Sequence, residues 1–238
     1  MKGLNQLSDR VFYLPFEKET DRPNIYYIRG DDYSISIDAG NSKRHVEKFY
    51  AVLKENNLPL PKYTVISHWH WDHTFGICAL SSICISSRKT KEKLKEVQKW
   101  KWTLEDMKQR EEEGKDIPFC TEHILIEYPD LADIEVALPE MSFEGELKLD
   151  LGGIEVECIA RDSTHSRDAV FVYLKSEKIL ILEDADCEDF YHGNIYDQGR
   201  LKDMLAFLES LDYQWHCVGH AFEESREEAF VRLKGELK

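Results

Sequence analysis

The sequence predicts an α+β fold in which two similar halves of a layered sheet carry helices on the outside. Runs typical of strands and helices follow one another in the order strands, helix, strand, helix, and that order then repeats. The 238 residues contain no linker, no low-complexity tract and no repeat with a period of about 20–50 residues. We therefore expect one domain over residues 1–238, with a helical insertion at about 88–113.

Composition limits the classes of protein to consider. Hydrophobic residues make up 42% and charged residues 32%, which suits a folded domain with a buried core and excludes a disordered chain. The net charge of −15 repels phosphate backbones, so we expect no nucleic-acid partner. No apolar run has the roughly 18–20 residues of a membrane span, and the first 16 residues lack the apolar stretch of about 7–15 residues that is typical of a secretory signal, so we expect none. The six cysteines are scattered without a C-x-x-C pair, so we expect buried thiols in a cytoplasmic protein.

The first half of the chain is rich in strand-like runs. They occupy residues 11–16, 24–30, 33–40, 63–67 and 83–87. Between the third and fourth runs, Asn41 or Ser42 is a suitable N-cap for a helix. Apolar residues then recur at helical spacing as far as Leu53, and the Pro59–Pro61 stretch ends the element.

The segment from Arg88 to Glu113 is almost wholly charged, apart from one apolar stripe. The stripe consists of Leu94, Val97, Trp100, Leu104 and Met107, spaced by three or four residues. This spacing predicts one long amphipathic helix or a helical hairpin. An apolar stripe has to be covered, so we expect the segment to pack on its own domain, to roof part of the site, or to form a homodimer contact.

Strand-like runs resume after Gly114. They occupy 123–128, 146–160, 169–176, 178–184 and 216–220, with Gly152-Gly153 as one of the turns. Helices are predicted at about 198–211 and at the end of the chain, where apolar residues again recur at helical spacing.

The strongest functional signal is the run His68-Trp69-His70-Trp71-Asp72-His73, directly after a predicted strand. Three imidazoles and a carboxylate within six residues are difficult to explain by packing, because Asp is rarely buried without a partner. A divalent metal ion can bind several nitrogen and oxygen donors at one point, and zinc is the usual choice for this donor set. The motif therefore predicts a metal site.

This motif resembles the H-x-H-x-D-H signature of the metallo-β-lactamase superfamily. The resemblance implies a four-layer αββα sandwich and a site for one or two metal ions. It also implies three further residues downstream, and the sequence supplies each of them in order. They are His165 in Asp162–Asp168, Asp184 at the end of the run KILIL, and His220 in Val218-Gly219-His220.

The resemblance implies a ligand set for two divalent ions, with zinc expected and iron or manganese as alternatives. His68, His70 and His165 would hold the first ion, Asp72, His73 and His220 the second, and Asp184 would bridge them. The two ions would share a hydroxide, which is a nucleophile at neutral pH. Asp72 and Asp184 are accordingly the predicted catalytic carboxylates.

Other residues near these motifs have more than one possible role. Asp38 matches a position that supports the ligands from behind, although it also suits a turn before Gly40. Glu183 replaces the customary glycine before Asp184, and we expect its side chain to point away from the site. Tyr191, His192 and Tyr196 could be substrate contacts or ordinary loop residues, and Trp69 and Trp71 could be pocket walls or core residues. We expect His45 and His123 at the surface and His216 in a structural role.

The predicted activity is metal-dependent hydrolysis of a small-molecule ester, lactone, thioester or related bond. The alternative is a metal-binding protein without hydrolytic activity, or an iron-dependent oxidoreductase of the same superfamily. The complete set of seven predicted ligands favours the hydrolase, because a site that has lost its catalytic activity has no chemical need for all of them. The sequence does not identify the substrate.

Overall fold

Thirteen β-strands form two mixed sheets in the computed structural model, which describes all of residues 1–238. The first sheet follows chain order: β1 (Asn5–Gln6), β2 (Val11–Leu14), β3 (Ile25–Arg29), β4 (Ser34–Ile37), β5 (Tyr63–Val65), β6 (Ile83–Ser87) and β7 (Met141–Phe143). Its first four strands are antiparallel, and β4 to β7 are parallel.

The second sheet also follows chain order. It contains β8 (Glu146–Asp150), β9 (Glu155–Ala160), β10 (Val170–Leu174), β11 (Ile179–Glu183), β12 (Trp215–Val218) and β13 (Glu224–Ser225). Only the β11–β12 pair is parallel.

Seven α-helices accompany the sheets. They are α1 (Lys43–Glu55), α2 (Trp71–Thr74), α3 (Arg88–Val97), α4 (Leu104–Glu112), α5 (Pro118–Glu127), α6 (Gln198–Ser210) and α7 (Arg226–Gly235). Ser42, one of the two predicted caps, accepts a hydrogen bond from the backbone N–H of His45 and so starts α1. None of the helices combines the length and the apolar character that a membrane span requires.

Side chains alternate between the two faces of each strand, and the two faces pack into different layers of the fold. In β2, Val11 and Tyr13 face the core between the two sheets, whereas Phe12 and Leu14 pack on the other side, against α1. In β10, Val172 faces the same central core and Phe171 packs beneath α6. The order of layers is therefore helix, sheet, sheet, helix, and the predicted αββα sandwich is confirmed.

The two halves of the sandwich repeat one topology, as predicted. In each half an antiparallel meander ends in a strand, and a helix then crosses over to a parallel neighbour. The first crossover is β4–α1–β5, and the second is β11–α6–β12. The carboxyl ends of β5, β11 and β12 meet at one edge of the sandwich, so the loops that follow these strands lie close together.

The predicted helical segment at 88–113 is divided into two helices, α3 and α4. Its stripe is buried by the same chain: Leu94 packs against Ala39 and Ile66, and Val97 and Met107 pack against Trp71 and Phe75. Leu104 alone is well exposed. The segment supplies no lining residue to the cavity at the candidate site, so the prediction that it roofs the pocket is wrong.

The strand predicted at 123–128 is also wrong, because these residues belong to helix α5. Pro118 stands in the first turn of α5, where its fixed φ and missing N–H are tolerated. Cys120, Ile124 and Glu127 are buried at helical spacing, whereas Leu125 and Ile126 are exposed. A short apolar run with β-branched residues fits either element, and in this case the helix forms.

A substitution in α4 tests how this helical segment is held. Met107 is fully buried, so Met107→Ala is expected to lower the free energy of unfolding by about 2–5 kcal/mol. Leu104→Ala, on the exposed side of the same helix, is the matched control and is expected to change it by less than about 0.5 kcal/mol. Denaturant unfolding of both variants measures this, and equal effects would contradict the packing described.

Candidate metal centre

The seven predicted ligands converge at one edge of the sandwich. His68 to His73 follow β5, Asp184 follows β11 and His220 follows β12, so all of them lie beyond the carboxyl ends of strands. His165 lies in the loop between β9 and β10. Loops at this edge of a sheet are where ligands bind in many α/β proteins.

His68, His70 and His165 form the first group of donors. Nε2 of His68 lies 3.0 Å from Nδ1 of His70, and Nε2 of His165 lies 2.9 Å from the same atom. All three side chains are buried. Donors bound to one tetrahedral zinc ion at about 2.0–2.1 Å lie roughly 3.3 Å apart, so this spacing is close to that of a bound ion.

Two of these histidines donate a hydrogen bond from the ring nitrogen that faces away from the group. These hydrogen bonds determine that the other ring nitrogen, which faces the group, carries no proton. Nδ1 of His165 must donate to the carbonyl oxygen of Glu188, at 2.8 Å, because a carbonyl only accepts. Ser67 uses its hydroxyl proton on Asp38, so Nδ1 of His68 donates to Oγ of Ser67 at 3.0 Å. The Nε2 lone pairs of His68 and His165 therefore both point at one centre, which is the arrangement that a metal ion requires.

Asp72, His73, Asp184 and His220 form the second group. Oδ2 of Asp72 lies 3.0 Å from Nε2 of both His73 and His220. Oδ2 of Asp184 lies 3.1 Å from Nε2 of His73 and 3.5 Å from Nε2 of His220. The four inward atoms thus surround a single point, next to the first group.

Asp184 connects the two groups. Besides its distances to the second group, its Oδ2 lies 4.0 Å from Nε2 of His165 in the first group. Gly219 makes this position possible, because a Cβ at residue 219 would lie 2.3 Å from Oδ1 of Asp184. Asp184 is the carboxylate with an oxygen near both donor sets, which is the position that a bridging ligand would take.

Electrostatics differ between the two groups. Burial and the neighbouring histidines hold the pKa of His68 and His70 well below the usual value, so both are neutral imidazoles, the form that binds a metal. Burial also opposes charge on His73, but Asp72, Asp184 and Asp38 together raise its pKa well above the usual value. The second group therefore attracts positive charge, as a proton or as a metal ion.

His220 and Asp72 show the same attraction. Against burial, Asp184 and Asp72 raise the pKa of His220 to about 9. Burial would favour the protonated form of Asp72, but His73 and His220 lower its pKa well below the usual value. Buried carboxylates that stay ionised need a cationic partner, and a divalent ion would supply one.

Asp38 supports the second group from behind, as predicted. It is fully buried, and its Oδ2 accepts hydrogen bonds from Nδ1 of His73 and from Oγ of Ser67, both at 2.7 Å. Its Oδ1 accepts from the backbone N–H of Ser67 at 2.6 Å. This fixes the His73 ring with Nε2 facing inward.

We expect Asp38→Ala to weaken metal binding at the second group by about 10–100-fold, because His73 loses the acceptor that orients its ring. Competition with a chromogenic chelator measures the affinity. Asp203→Asn, an exposed acidic position on α6, is the control and is expected to leave the affinity unchanged. Unaltered metal binding by Asp38→Ala would show that His73 does not depend on this contact.

Glu183 does not point away from the site, contrary to the prediction. Its side chain is buried, and Oε2 lies 3.9 Å from Nδ1 of His73, the ring nitrogen that contacts Asp38 and not the inward Nε2. Neither carboxylate oxygen has a hydrogen-bond partner. Glu183 has a left-handed backbone conformation, with φ of 52°. The Asp184 side chain lines the cavity, and the Glu183 side chain is buried behind His73. Burial and Asp38 raise the pKa of Glu183 well above the usual value.

Of the three residues left open after β11, only Tyr191 lies at the site. Its ring is 4.9 Å from that of His70, and its hydroxyl is 3.6 Å from Sγ of Cys120. His192 is exposed and faces Asp189, and Tyr196 packs with the helices over the second sheet. Neither His192 nor Tyr196 lines the cavity.

Of the other aromatic and histidine residues named from the sequence, some line the cavity and others are packed inside the protein. Trp71 lines the cavity, whereas Trp69 packs against Trp100 and Tyr191. His216 is structural, as predicted, and its Nε2 lies 2.7 Å from Oδ2 of Asp186.

His45 is not at the surface, so that prediction is wrong, whereas His123 is half-buried and lies at the surface of the cavity. His45 is fully buried on the inner face of α1, against Gly40, and His123 lies on α5 and lines the cavity.

A cavity of about 870 Å³ opens directly onto the donors. His70, Asp72, His165, Asp184 and His220 line it, so both groups are accessible from solvent. Sequence reasoning missed most of its other walls. They come from the β2–β3 loop (Phe16, Lys18, Asp21), from the start of α5 (Ile117, Phe119, Cys120), and from the segments after Asp184 and His220 (Asp186, Cys187, Phe190, Phe222, Glu224). For the walls after Asp184 and His220 the only sequence signal was closeness to a ligand motif, and the walls at 16–21 and 117–120 had none.

Comparison with known proteins identifies the family. A family model described as the metallo-beta-lactamase superfamily matches residues 20–189, which is well over half of the chain. The chain belongs to the metallo-beta-lactamase superfamily. The matched range contains the His68–His73 motif, His165 and Asp184. His220 lies outside the matched range. No curated protein shows a significant sequence match to the chain.

Solved metallo-beta-lactamase structures share the fold of this superfamily member. DIM-1 metallo-beta-lactamase superposes with a TM-score of 0.68 at 18% identity, over 98% of this chain and 95% of that one. A metallo-beta-lactamase from Pontibacter korlensis gives 0.64 at 16% identity, over 97% and 96%. FIM-1 from Pseudomonas aeruginosa, in a mono-zinc form, gives 0.65 at 12% identity, over 97% and 92%. At these identities the likeness concerns the fold alone.

Proposed function

We propose that this protein is a dinuclear metal-dependent hydrolase that cleaves an ester, lactone, thioester or related bond of a small molecule. The observation that carries the proposal is the position of Asp184, whose Oδ2 faces both His165 and the His73–His220 pair. A carboxylate that lies between two complete donor sets is suited to bridge two metal ions held side by side.

The donors suit two transition-metal ions. His68, His70 and His165 would hold the first ion, Asp72, His73 and His220 the second, and Asp184 would bridge them. Imidazole with carboxylate favours zinc, with iron and manganese as alternatives. When bound, the ions would polarise the scissile carbonyl and lower the pKa of water enough to provide a nucleophile at neutral pH.

The chain's own residues divide the remaining work. Asp38, Ser67 and the carbonyl of Glu188 hold the histidine rings with the binding nitrogens inward. Asp72 and Asp184 line the cavity, so their carboxylates can orient the attacking water and accept its proton. Trp71 and Tyr191 cover one side of the donors and exclude bulk water there.

A small-molecule substrate fits both the volume and the charge. A cavity of about 870 Å³ lies within the range of roughly 300–1,000 Å³ that is common for small-ligand sites. The net charge of −15 disfavours nucleic acid.

Hydrolysis of a substrate panel by metal-replete protein tests the proposal. The panel consists of esters, lactones, thioesters and phosphodiesters, and we expect turnover of at least one carboxyl-derived class. His165→Ala should abolish it, whereas His192→Ala, at an exposed histidine outside the site, should retain it. Purification with bound iron, redox activity and no hydrolysis of any class would instead establish the oxidoreductase alternative.

A further inference from the structure

Four phenylalanines surround the mouth of the cavity, and we call them the aromatic rim: Phe16, Phe119, Phe190 and Phe222. Three of them are exposed to solvent, with an exposed fraction of 62% for Phe222, 50% for Phe119 and 37% for Phe190. Single exposed apolar residues are common on protein surfaces, but several around one cavity indicate a binding surface.

The rim lies directly beside the candidate metal ligands. The ring of Phe190 is 5.3 Å from that of His165, edge to face. Phe222 follows His220 by two residues, and its ring is 5.3 Å from that of Phe16. Phe119 stacks on His123 at 4.0 Å, on the wall formed by α5. Four separate segments thus bring aromatic rings to one cavity, which neighbours in sequence alone would not produce.

Charge around the cavity opposes a strongly anionic ligand. Of the two cationic side chains that line it, Arg232 is paired with Asp186 and Glu224. Lys18 has no ion-pair partner but is a single exposed lysine. Apart from the histidines, the other charged lining residues are acidic, and they include Asp21 beside Asp72 and Asp184. A substrate with a phosphate group away from the metal centre would need a cluster of Lys or Arg side chains there, and the lining supplies none.

We propose that the aromatic rim binds an uncharged apolar group of the substrate, an alkyl chain or an aryl ring, while the bond to be cleaved lies at the metal centre. The inference rests on the proposed hydrolytic function and gives it a substrate class: hydrophobic carboxylic esters, thioesters or lactones. Hydrolysis adds water across the acyl C–O or C–S bond, with hydroxyl going to the acyl carbon and hydrogen to the leaving alcohol or thiol. No oxidant or reductant is needed.

Equilibrium binding of product-like carboxylates tests the rim separately from turnover. Octanoate and acetate are titrated into metal-replete protein by calorimetry, and p-nitrophenyl octanoate and acetate are compared as substrates. We expect octanoate to bind at least about tenfold more tightly than acetate, because each buried methylene adds to the affinity. kcat/KM should rise in the same order.

Variants locate the binding. Phe222→Ala and Phe119→Ala should each weaken octanoate binding by about tenfold and leave acetate binding and metal content unchanged. Val231→Ala, on the exposed side of α7 and absent from the cavity lining, is the matched control and should bind octanoate as the unmodified protein does. Because Phe222 and Phe119 are largely exposed, both variants should fold.

Each outcome supports or overturns the inference. Equal affinity for octanoate and acetate, or unchanged binding in both phenylalanine variants, would overturn it. So would a dimer by light scattering that Phe222→Ala dissociates without affecting octanoate binding, because the rim would then be a contact between copies. Octanoate binding that depends on Phe222, together with no hydrolysis of any ester, thioester, lactone or phosphodiester in the panel, would support the rim and overturn the hydrolase.

Discussion

Replacing Asp184 by alanine is expected to abolish nearly all of the proposed hydrolytic activity and to release one of the two proposed metal ions. Asp184 is the carboxylate with an oxygen near both donor groups, so its removal disturbs the spacing of the ions as well as their ligand count. Loss of a residue that supports a metal ligand lowers metal affinity or activity by about 10–100-fold. Because Asp184 would bind both ions itself, its loss should lower kcat/KM by more than about 100-fold. Kinetics and elemental analysis of the purified variant measure both effects.

Glu183→Ala is the matched comparison, because it removes the neighbouring carboxylate. Glu183 is buried behind His73, but its oxygens do not face the inward ring nitrogen. We expect a smaller loss of activity than in Asp184→Ala, with both ions retained. A greater loss in Glu183→Ala would mean that the bridging carboxylate is Glu183 and that the assignment is displaced by one residue.

Removal of the metal ions is expected to destabilise the protein strongly. The centre gathers four buried imidazoles, one partly exposed imidazole and two carboxylates, and an ion that binds only the folded state adds to its stability. At a free metal concentration of about a thousand times Kd the gain is about 4 kcal/mol per site. In a chain of this size that amount should lower Tm by on the order of 10 °C when a chelator strips the protein.

Calorimetry with and without a chelator measures the change, and added zinc should restore the original Tm. His220→Ala lacks one donor of the second group, so its Tm should respond less to the chelator than that of the unmodified protein. If stripped and zinc-loaded samples of the unmodified protein unfolded at the same temperature, the buried donors would be stable without ions, and the proposed centre would be wrong.

Much of the fold and the ligand edge could be predicted because local patterns determined them. Alternating apolar residues placed β2 and β10 between two layers, and Ser42 started α1 where the sequence indicated. Donors within one short run, such as His68 and His70, must share a neighbourhood whatever the fold. His165 and His220 were found only through the resemblance, since nothing local links them to that run.

The cavity walls could not be predicted, because they depend on long-range packing. The apolar run of α5 fits a strand or a helix equally well, and its role as a wall follows from Cys120 and Ile124 packing beside Trp71. Phe16 and Phe222 meet only because the β2–β3 loop lies beside the end of β12. Glu183 was expected to point away but is buried behind His73, and its left-handed backbone conformation has no sequence signal in a non-glycine residue.

The number of metal ions bound per chain tests the central claim most directly. The measurement is elemental analysis of protein saturated with zinc and freed of excess metal by gel filtration, with His192→Ala as a control for adventitious binding at an exposed histidine. Two ions per chain are expected, because two donor groups share Asp184. A single ion per chain, even at saturating zinc, would contradict the dinuclear centre.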